Sequence, residues 1–395
     1  MAGIAIQRRA FLAATAASVG AIAGCFGTSN QALPNEPTGD WRQQAHDSHN
    51  TGVSDVAVPD RGNQAWDAGD AGSIEPLVAD GMVYSVGASA TALNAQTGDQ
   101  EWKYDFSAQT GPTPTVTENH LLIPAEQQLV ALNRSDGSEE WSRSLPRPAE
   151  GALTAGPSII TLPLTGRRGE TGLIAYDSTT GERLWSHSTL AARTTAINDD
   201  RVYVTGYLQD GNAGVLRALS TADGSLLWET ELDHPDTEPV VANDGLLVTD
   251  EGTLAVHDPE DGTRVRSLGT FGDRLGTPPA VSNGTAFLGT RNQEIVALSI
   301  DDGSTIWQQS GSATRGISVG REAIVISGES LPEASLAGVA ALDRSNGTVQ
   351  WERQIEGFDA YPSTAPVLTD GAVYYTSNAS SGVVALGDVP SDDDE

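Results

Sequence analysis

Cysteine and lysine are almost absent from this sequence of 395 residues. Cys25 is the single cysteine, so an intrachain disulfide is excluded and the fold must be held together by its packed core. Lys103 is the single lysine, and 53 acidic residues against 22 basic ones give a net charge of −31. A surface this acidic repels nucleic acid, so we expect no nucleic-acid partner.

Patterns that carry common enzyme chemistry are also missing. The sequence has no phosphate-binding P-loop and no dinucleotide-binding glycine pattern. The six histidines are scattered, and for the one cluster, His46 and His49 with Asp47, a solvated or turn-packed pair is favoured over a metal site. Acidic turns such as residues 258–262 place glycine fifth, whereas a calcium loop needs it sixth. The sequence therefore predicts no catalytic residue and no metal site.

Helical periodicity is absent beyond the N-terminal leader, and a short repeat takes its place. In each copy an apolar strand runs into an Asn- or Asp-rich turn that ends in glycine, and tryptophan usually follows four residues later. The turn glycines are 38 to 44 residues apart, which is the length of one four-stranded blade. They are Gly98, Gly137, Gly181, Gly224, Gly262, Gly303 and Gly347.

A second element, an inner hairpin of alternating Val, Ile, Leu and Tyr around a glycine turn, recurs eight times. The first hairpin is 78–85, the third is 153–160, and the last, 368–375, has no Trp-bearing strand after it. The strand around Trp66 stands unpaired upstream and would complete that last blade. The sequence predicts an all-β, eight-bladed propeller of four-stranded antiparallel blades, closed by this N-terminal strand.

The repeat units resemble the tryptophan-docking repeats of PQQ-type eight-bladed propellers over roughly residues 60 to 388. The resemblance implies that each indole stacks on a turn glycine and ties one blade to the next. Arg266 replaces tryptophan in one unit, which weakens the predicted docking of blade 6. The residues expected in this structural role are Trp66, Trp102, Trp141, Trp185, Trp228, Trp307 and Trp351.

The N-terminus resembles an export signal. Residues 7–12 (QRRAFL) resemble a twin-arginine motif, residues 10–23 are apolar but too short to span a bilayer, and residues 22–25 (IAGC) resemble a lipobox. A plain secretory leader with an incidental cysteine is the alternative. We predict a signal peptide over 1–24, lipidation of Cys25, a flexible tether over 25–40, the propeller over 41–388 and an acidic disordered tail over 389–395.

The resemblance also raises the question of a cofactor. Quinone-dependent alcohol dehydrogenases of this type hold PQQ in the central funnel with calcium, a catalytic aspartate and a disulfide between adjacent cysteines. This chain lacks the cysteine pair and has little beyond the blades to form a lid, so no cofactor is predicted. The architecture also resembles the BamB outer-membrane assembly lipoproteins, and the acidic, lysine-poor composition resembles proteins of salt-loving archaea. Because such an archaeon lacks an outer membrane, only the scaffold role carries over.

Charged residues are expected where the inner strands enter the ring. Counting three residues back from each hairpin places Glu75, Glu150 and Glu238 in blades 1, 3 and 5, with Glu75 opposite Glu238 across the axis. Arg193 and Arg315 lie one residue earlier in blades 4 and 7. These five residues predict a polar funnel for a cationic or hydroxylated ligand or a partner peptide. The alternative is acidic decoration of a halophilic surface.

Long connections after the second strand of blades 3, 4 and 7, at 163–172, 205–214 and 328–338, predict a loop-rich face suited to recognition. Glycosylation sequons at Asn133, Asn283 and Asn346 would lie on the opposite face, and the one at Asn378 on the loop-rich face; chance sequons are the alternative. We expect a monomeric, non-enzymatic, lipid-anchored scaffold for an extracytoplasmic protein or peptide, on the outer face of the cytoplasmic membrane. A PQQ- or metal-dependent oxidoreductase is the alternative function.

Overall fold

The computed structural model describes residues 30–69, 72, 74–106, 110–164, 172–187, 190–208, 213–243, 245–272, 274–357, 359–380 and 382–391. The predicted signal peptide, the lipidation site Cys25, residues 25–29 of the predicted tether and residues 392–395 of the predicted tail lie outside these ranges. In the part of the chain that is described, no helix is long and apolar enough to cross a membrane.

Within the described ranges, thirty-two strands form eight separate antiparallel sheets of four strands each. Blade 1 consists of β2 (Leu77–Ala79), β3 (Met82–Val86), β4 (Ser89–Asn94) and β5 (Gln100–Asp105). Blade 2 consists of β6 (Thr115–Val116), β7 (His120–Ala125), β8 (Gln128–Asn133) and β9 (Glu139–Ser144). Blade 3 consists of β10 (Thr154–Ala155), β11 (Ile159–Leu164), β12 (Gly172–Asp177) and β13 (Arg183–His187). Blade 4 consists of β14 (Leu190–Ile197), β15 (Arg201–Leu208), β16 (Gly214–Ser220) and β17 (Leu226–Leu232).

The second half of the ring repeats this order. Blade 5 consists of β18 (Val240–Ala242), β19 (Gly245–Asp250), β20 (Thr253–His257) and β21 (Arg264–Thr270). Blade 6 consists of β22 (Ala280–Ser282), β23 (Thr285–Gly289), β24 (Glu294–Ser299) and β25 (Thr305–Ser310). Blade 7 consists of β26 (Gly316–Val319), β27 (Ala323–Gly328), β28 (Gly338–Asp343) and β29 (Val349–Gln354). Blade 8 consists of β30 (Val367–Thr369), β31 (Ala372–Thr376), β32 (Val383–Gly387) and the N-terminal β1 (Asn63–Ala68).

Blade 8 closes the ring with strands from both ends of the chain. Strand β1 pairs antiparallel with β32, and Trp66 lies opposite Ala385. The predicted eight-bladed fold and its closure by an N-terminal strand are therefore confirmed. This closure leaves no blade short of its outermost strand.

The hydrophobic core is divided among the interfaces between neighbouring blades. Leu77 and Tyr84 of blade 1 pack with Leu121 of blade 2, and Phe287 of blade 6 packs with Ile324 of blade 7. These apolar side chains fill both faces of the inner strands, because each blade is covered by a neighbour on either side. Burial of this kind stabilises the protein by about 1.5–3 kcal/mol per large aliphatic side chain.

Two faces of the ring differ, and we name them by their connections. The tight-turn face carries the short turns between the first and second strands and between the third and fourth strands of each blade. The loop-rich face carries the connections between second and third strands and those between blades. Strand β15 extends to Leu208, so residues 205–208, which we expected in a long loop of blade 4, belong to a strand. Residues 165–171 and 209–212 of the expected long loops lie outside the described ranges.

The structure differs from the sequence-based expectation at residues 30–40, which we expected to be a free tether. Asn30 and Asp67 exchange hydrogen bonds, the Gln31 amide donates to the Ala65 carbonyl, and Leu33 is 2% exposed. This segment is therefore held against the outer strand of blade 8 by the buried leucine and by backbone hydrogen bonds.

Candidate functional site at the central channel

Tryptophan side chains join neighbouring blades near the rim. The ring of Trp102 in blade 1 lies on Gly137 of blade 2, where an added Cβ would come within 2.5 Å of the indole. The same contact joins Trp66 to Gly98, Trp141 to Gly181, Trp185 to Gly224, Trp228 to Gly262, Trp307 to Gly347 and Trp351 to Gly62. These glycines have φ between +58° and +75°, so they permit both the left-handed turn and the close approach of the ring.

The junction between blades 5 and 6 is made without tryptophan. The Trp102, Trp185, Trp228, Trp307 and Trp351 indoles donate to the carbonyl three residues before the glycine that each one contacts. Arg266 Nε donates to the Ile300 carbonyl at 2.9 Å, which is the same position relative to Gly303. The backbone of Leu268 covers Gly303 in place of a ring. The sequence suggested weak docking of blade 6, and in the structure the arginine makes the hydrogen bond that tryptophan makes elsewhere.

A segment before the first blade closes one end of the central channel. We call residues 38–57 the belt. Its carbonyls accept hydrogen bonds from the inner-strand amides of seven blades, and the amide of Ala155 in blade 3 donates to the Gln43 side chain at 2.7 Å. The seven amides belong to Val78, Val116, Ile197, Val241, Val281, Val319 and Gly371. Because these residues come just before or within the first hairpin turns, the belt lies at the tight-turn end of the channel.

Polar side chains fix the path of the belt. Asn50 is 2% exposed, and its amide nitrogen donates to the carbonyls of Thr195 in blade 4 and Pro239 in blade 5. The Asp47 carboxylate accepts the amides of His49 and Thr51 at 3.0 Å and the Thr51 hydroxyl at 2.5 Å. Burial alone would raise the pKa of Asp47, but hydrogen bonds from His46 and Thr51 outweigh it and lower the pKa. Asp47 therefore fixes the backbone conformation of the belt between residues 47 and 51.

Two of the predicted funnel carboxylates lie beside the belt. Glu75 in blade 1 and Glu238 in blade 5 interact electrostatically, and Gln44 of the belt donates to Glu238 Oε1 at 3.1 Å. Burial raises the pKa of Glu75 to about 8; the Trp41 indole beside it lowers this pKa, and the Glu238 charge raises it. At neutral pH Glu75 therefore carries a proton, so the pair does not present two charges.

The Trp41 indole and the Glu75 carboxyl lie beside each other at this point. Trp41 is 1% exposed, and its hydrogen bond to the Glu75 side chain lowers the pKa of that carboxyl. The backbone of Ala45 in the belt also hydrogen-bonds to Glu75. These contacts hold the carboxyl against the belt at the channel wall.

The structure separates Glu150 from this pair. Ala155 pairs with Ile160 in blade 3 as Val78 pairs with Val83 in blade 1, so Ala152, and not Glu150, occupies the position of Glu75. Two residues of extended chain place Glu150 about 7 Å farther toward the loop-rich face, where it is exposed. The predicted set of three glutamates is therefore reduced to two at the channel wall.

The described structure shows no contact between the two predicted arginines, Arg193 and Arg315, and the Glu75–Glu238 pair. Arg315 contacts the Glu329 carboxylate at 3.3 Å and lies over the Tyr361 ring, with 4.8 Å from its guanidinium carbon to the ring centroid. Arg193 belongs to β14, and its side chain lies outside the described part. Arg315 thus belongs to the loop-rich surface of blade 7.

A polar pocket of about 390 Å³ opens beside the belt on the tight-turn face. Arg42, His46, Asp47, Glu118 and His120 are among the residues that line it. His46 Nδ1 lies 3.7 Å from the Asp47 carboxylate. Within the described ranges, no group of three or more His, Cys, Asp or Glu side chains could hold a metal ion.

Residues 316–320 match a G-x-S-x-G pattern. Residues 316–319 of this pattern form the inner strand β26, where the Ser318 hydroxyl donates to the Pro366 carbonyl. A nucleophile elbow requires a sharp turn from strand to helix, so this serine is structural.

The loop of blade 7 is the most fully described part of the loop-rich face. The Glu352 carboxylate accepts the amides of Glu333 and Ala334 at 2.8 and 2.9 Å, and Leu331 is buried beneath them. Leu336 in the same loop is 54% exposed. This loop, held by the Glu352 carboxylate, therefore presents one exposed aliphatic side chain on the face that also carries Arg315 and Tyr361.

Comparison with known proteins gives a consistent family. A family model described as outer membrane protein assembly factor BamB matches residues 49–169 and 169–388. A curated protein of that name from Moranella endobia is 26% identical over 243 residues, which cover 54% of this chain and 60% of that protein. The chain thus spans less than two thirds of this relative's length.

Solved structures show the same fold at low identity. Quinohemoprotein alcohol dehydrogenase ADHIIG from Pseudomonas putida aligns with a TM-score of 0.67 at 12% identity, over 88% of this chain and 80% of that one. BamB from Moraxella catarrhalis aligns with a TM-score of 0.63 at 14% identity, over 82% of this chain and 98% of that one. Because an enzyme and an assembly factor share the architecture, these two likenesses concern the fold alone.

Proposed function

The chain belongs to the family of PQQ-like propellers described as outer membrane protein assembly factor BamB, and from this premise we propose that it is a non-enzymatic protein-binding or assembly scaffold. We propose further that it is exported by the twin-arginine route, anchored by a lipid on Cys25 and monomeric. It would work on the outer face of the cytoplasmic membrane, and its acidic surface would be an adaptation to salt.

One observation carries the scaffold proposal: the tight-turn end of the channel is closed by the belt, while the loop-rich end carries a rigid exposed loop. Leu336 is 54% exposed above a loop that Glu352 and the buried Leu331 hold in place. Arg315 stacks on Tyr361 on the same face. Aromatic and arginine side chains are enriched among the residues that dominate binding energy at protein interfaces.

Site-specific photo-crosslinking in the producing cell tests this proposal. A photoreactive residue at position 336 should form a discrete adduct with an extracytoplasmic protein. The matched control is Ile306, an aliphatic residue that is 50% exposed on the outer strand of blade 6. Adducts at 306 but not at 336 would overturn the choice of the loop-rich face.

The channel pair is a second candidate site, supported by the two carboxyl side chains, Glu75 and Glu238, that lie at the channel wall. A ligand hydroxyl can donate a hydrogen bond to a carboxylate oxygen such as that of Glu238. We propose that a hydroxyl-bearing group of a ligand or partner peptide enters from the loop-rich end and binds here. Glu75→Gln and Glu238→Gln should weaken partner capture, whereas Glu150→Gln should not; unchanged capture in all three would dispose of this site.

The described residues do not fit the quinone cofactor of the related enzymes. A carboxylate-bearing quinone in this channel would face the Glu238 carboxylate, while Arg315 is engaged by Glu329 and Tyr361. The chain also has no second cysteine with which to form the disulfide found in those enzymes. Adding PQQ and calcium to the purified protein provides the test: stoichiometric uptake with dye-linked alcohol oxidation would end the scaffold proposal.

A further inference from the structure

The path of the chain before the belt limits how the propeller can meet a membrane. Asn30 is fixed to the outer strand of blade 8, because its side-chain nitrogen donates to the Asp67 carbonyl at 3.3 Å and its side-chain oxygen accepts the Asp67 amide at 3.2 Å. The next residue, Gln31, donates its amide to Ala65 at 2.7 Å. The chain therefore reaches the ring at one defined place on the rim.

The attachment continues inward over the following residues. Leu33 is 2% exposed and belongs to the core cluster of blades 7, 8 and 1. Its amide donates to the Gln96 carbonyl at 2.9 Å, and its own carbonyl accepts the Gln96 side-chain amide at 2.9 Å. The position of residue 30 is thus fixed relative to the packed ring, because Asn30, Gln31 and Leu33 are all held by hydrogen bonds or burial.

The length of chain before Asn30 sets the reach of any anchor on Cys25. Five residues separate the two positions, and a fully extended chain of that length spans at most about 18 Å. Resting on the proposed lipid anchor, we infer that the outer edge of blade 8 faces the bilayer and that blade 4, opposite it in the ring, points away. The partner of this surface is a lipid headgroup layer.

The charge of the outer strand agrees with this orientation. Strand β1 carries one ionisable side chain, Asp67, and burial raises its pKa while a hydrogen bond from Ser380 lowers it. Strand β17 of blade 4, on the opposite side of the ring, carries two acidic side chains, Glu229 and Glu231. Of these two opposite strands, β1 therefore meets less electrostatic resistance when it approaches anionic headgroups.

A distance measurement in vesicles tests the orientation. If Cys25 is lipidated, an introduced cysteine is the only free thiol, so Asp60→Cys in blade 8 and Ala222→Cys in blade 4 can each carry one fluorescent donor. Both positions are exposed and both lie two residues before a docking glycine, Gly62 or Gly224, so the two turns are matched. The full-length lipidated protein is reconstituted into vesicles that contain an acceptor on the lipid headgroups.

We expect loss of most donor emission at residue 60 and little loss at residue 222. Inserting a Gly/Ser linker of 20 residues between Ser29 and Asn30, with a reach of about 25 Å, should remove the difference. Equal transfer at both positions without the linker would overturn the orientation and leave the anchor intact. Uptake of maleimide by the denatured protein with no introduced cysteine would show a free Cys25 thiol, which overturns the anchor itself.

Discussion

The rim and the axis of this propeller are held together in two different ways. At the rim, one tryptophan and one glycine join neighbouring blades at seven of the eight junctions. At the axis, a single belt of 20 residues contacts the inner strands of all eight blades and occurs once. Repeated contacts tolerate an exception, as Arg266 shows, whereas the belt has no second copy that could replace it.

The largest expected effect is at the rim. Trp307→Ala removes a ring that covers Gly347 and an indole that donates to Arg344 at 2.9 Å. We expect the free energy of unfolding to fall by about 3–5 kcal/mol, as for other buried aromatic truncations. Equilibrium denaturation at constant salt measures it. A fall below about 1 kcal/mol would show that the rim contacts are redundant.

At the axis, Asp47→Ala should have a somewhat smaller effect. It removes the carboxylate that accepts two amides and one hydroxyl of the belt, and we expect a loss of about 2–3 kcal/mol. Because the pKa of Asp47 is lowered in the folded protein, its contribution is present above pH 3.8 and is lost as pH falls through the folded value. Asp99→Ala, at an exposed turn carboxylate, is the control and should be nearly neutral.

Arg266→Ala tests how much the exceptional junction depends on its arginine. The variant loses one hydrogen bond to the Ile300 carbonyl, for which we expect about 1 kcal/mol, well below the effect of Trp307→Ala. The same denaturation experiment compares the two. If the arginine variant lost as much as the tryptophan variant, the rim junctions would be equivalent in energy as well as in geometry.

At the channel wall we expect the free energy of unfolding to depend on pH. Glu75 has its pKa raised to about 8 from 4.5, so the folded protein binds one more proton than the unfolded chain between these values. The free energy of unfolding should therefore decrease as pH rises from 4.5 to 8. Glu75→Gln should flatten this slope, and Glu150→Gln at an exposed position should not. A steeper slope in Glu75→Gln would contradict the burial of this carboxyl.

The blades could be predicted from sequence because they repeat. Eight copies of one pattern specify the strands and turns of each blade, and the unpaired strand at Trp66 specifies the closure. The belt could not be predicted in the same way, since Gln43 and Asn50 find partners in blades that are distant in sequence.

Glu150 illustrates a different limit. Aligning Gly156 with Gly81 matched the turns of blades 3 and 1, but the strand pairing of Ala155 with Ile160 shows that the inner strand is offset by two residues. A shift of two keeps the side chain on the same face of the strand, so alternation of apolar residues cannot detect it. The position of a side chain along the channel axis could therefore be determined only from the strand pairing in the structure.

The belt also has a consequence for how the molecule is made. It is synthesised before any blade, yet its last partner, Gly371, lies more than 300 residues downstream. Contacts between residues so far apart in sequence slow folding, because the chain loses the conformational entropy of a long loop before the contact forms. A nascent chain with seven folded blades still lacks the blade-8 partner of the belt. The hydrogen bond between Gly371 and Ala57 can therefore form only after blade 8 has been synthesised.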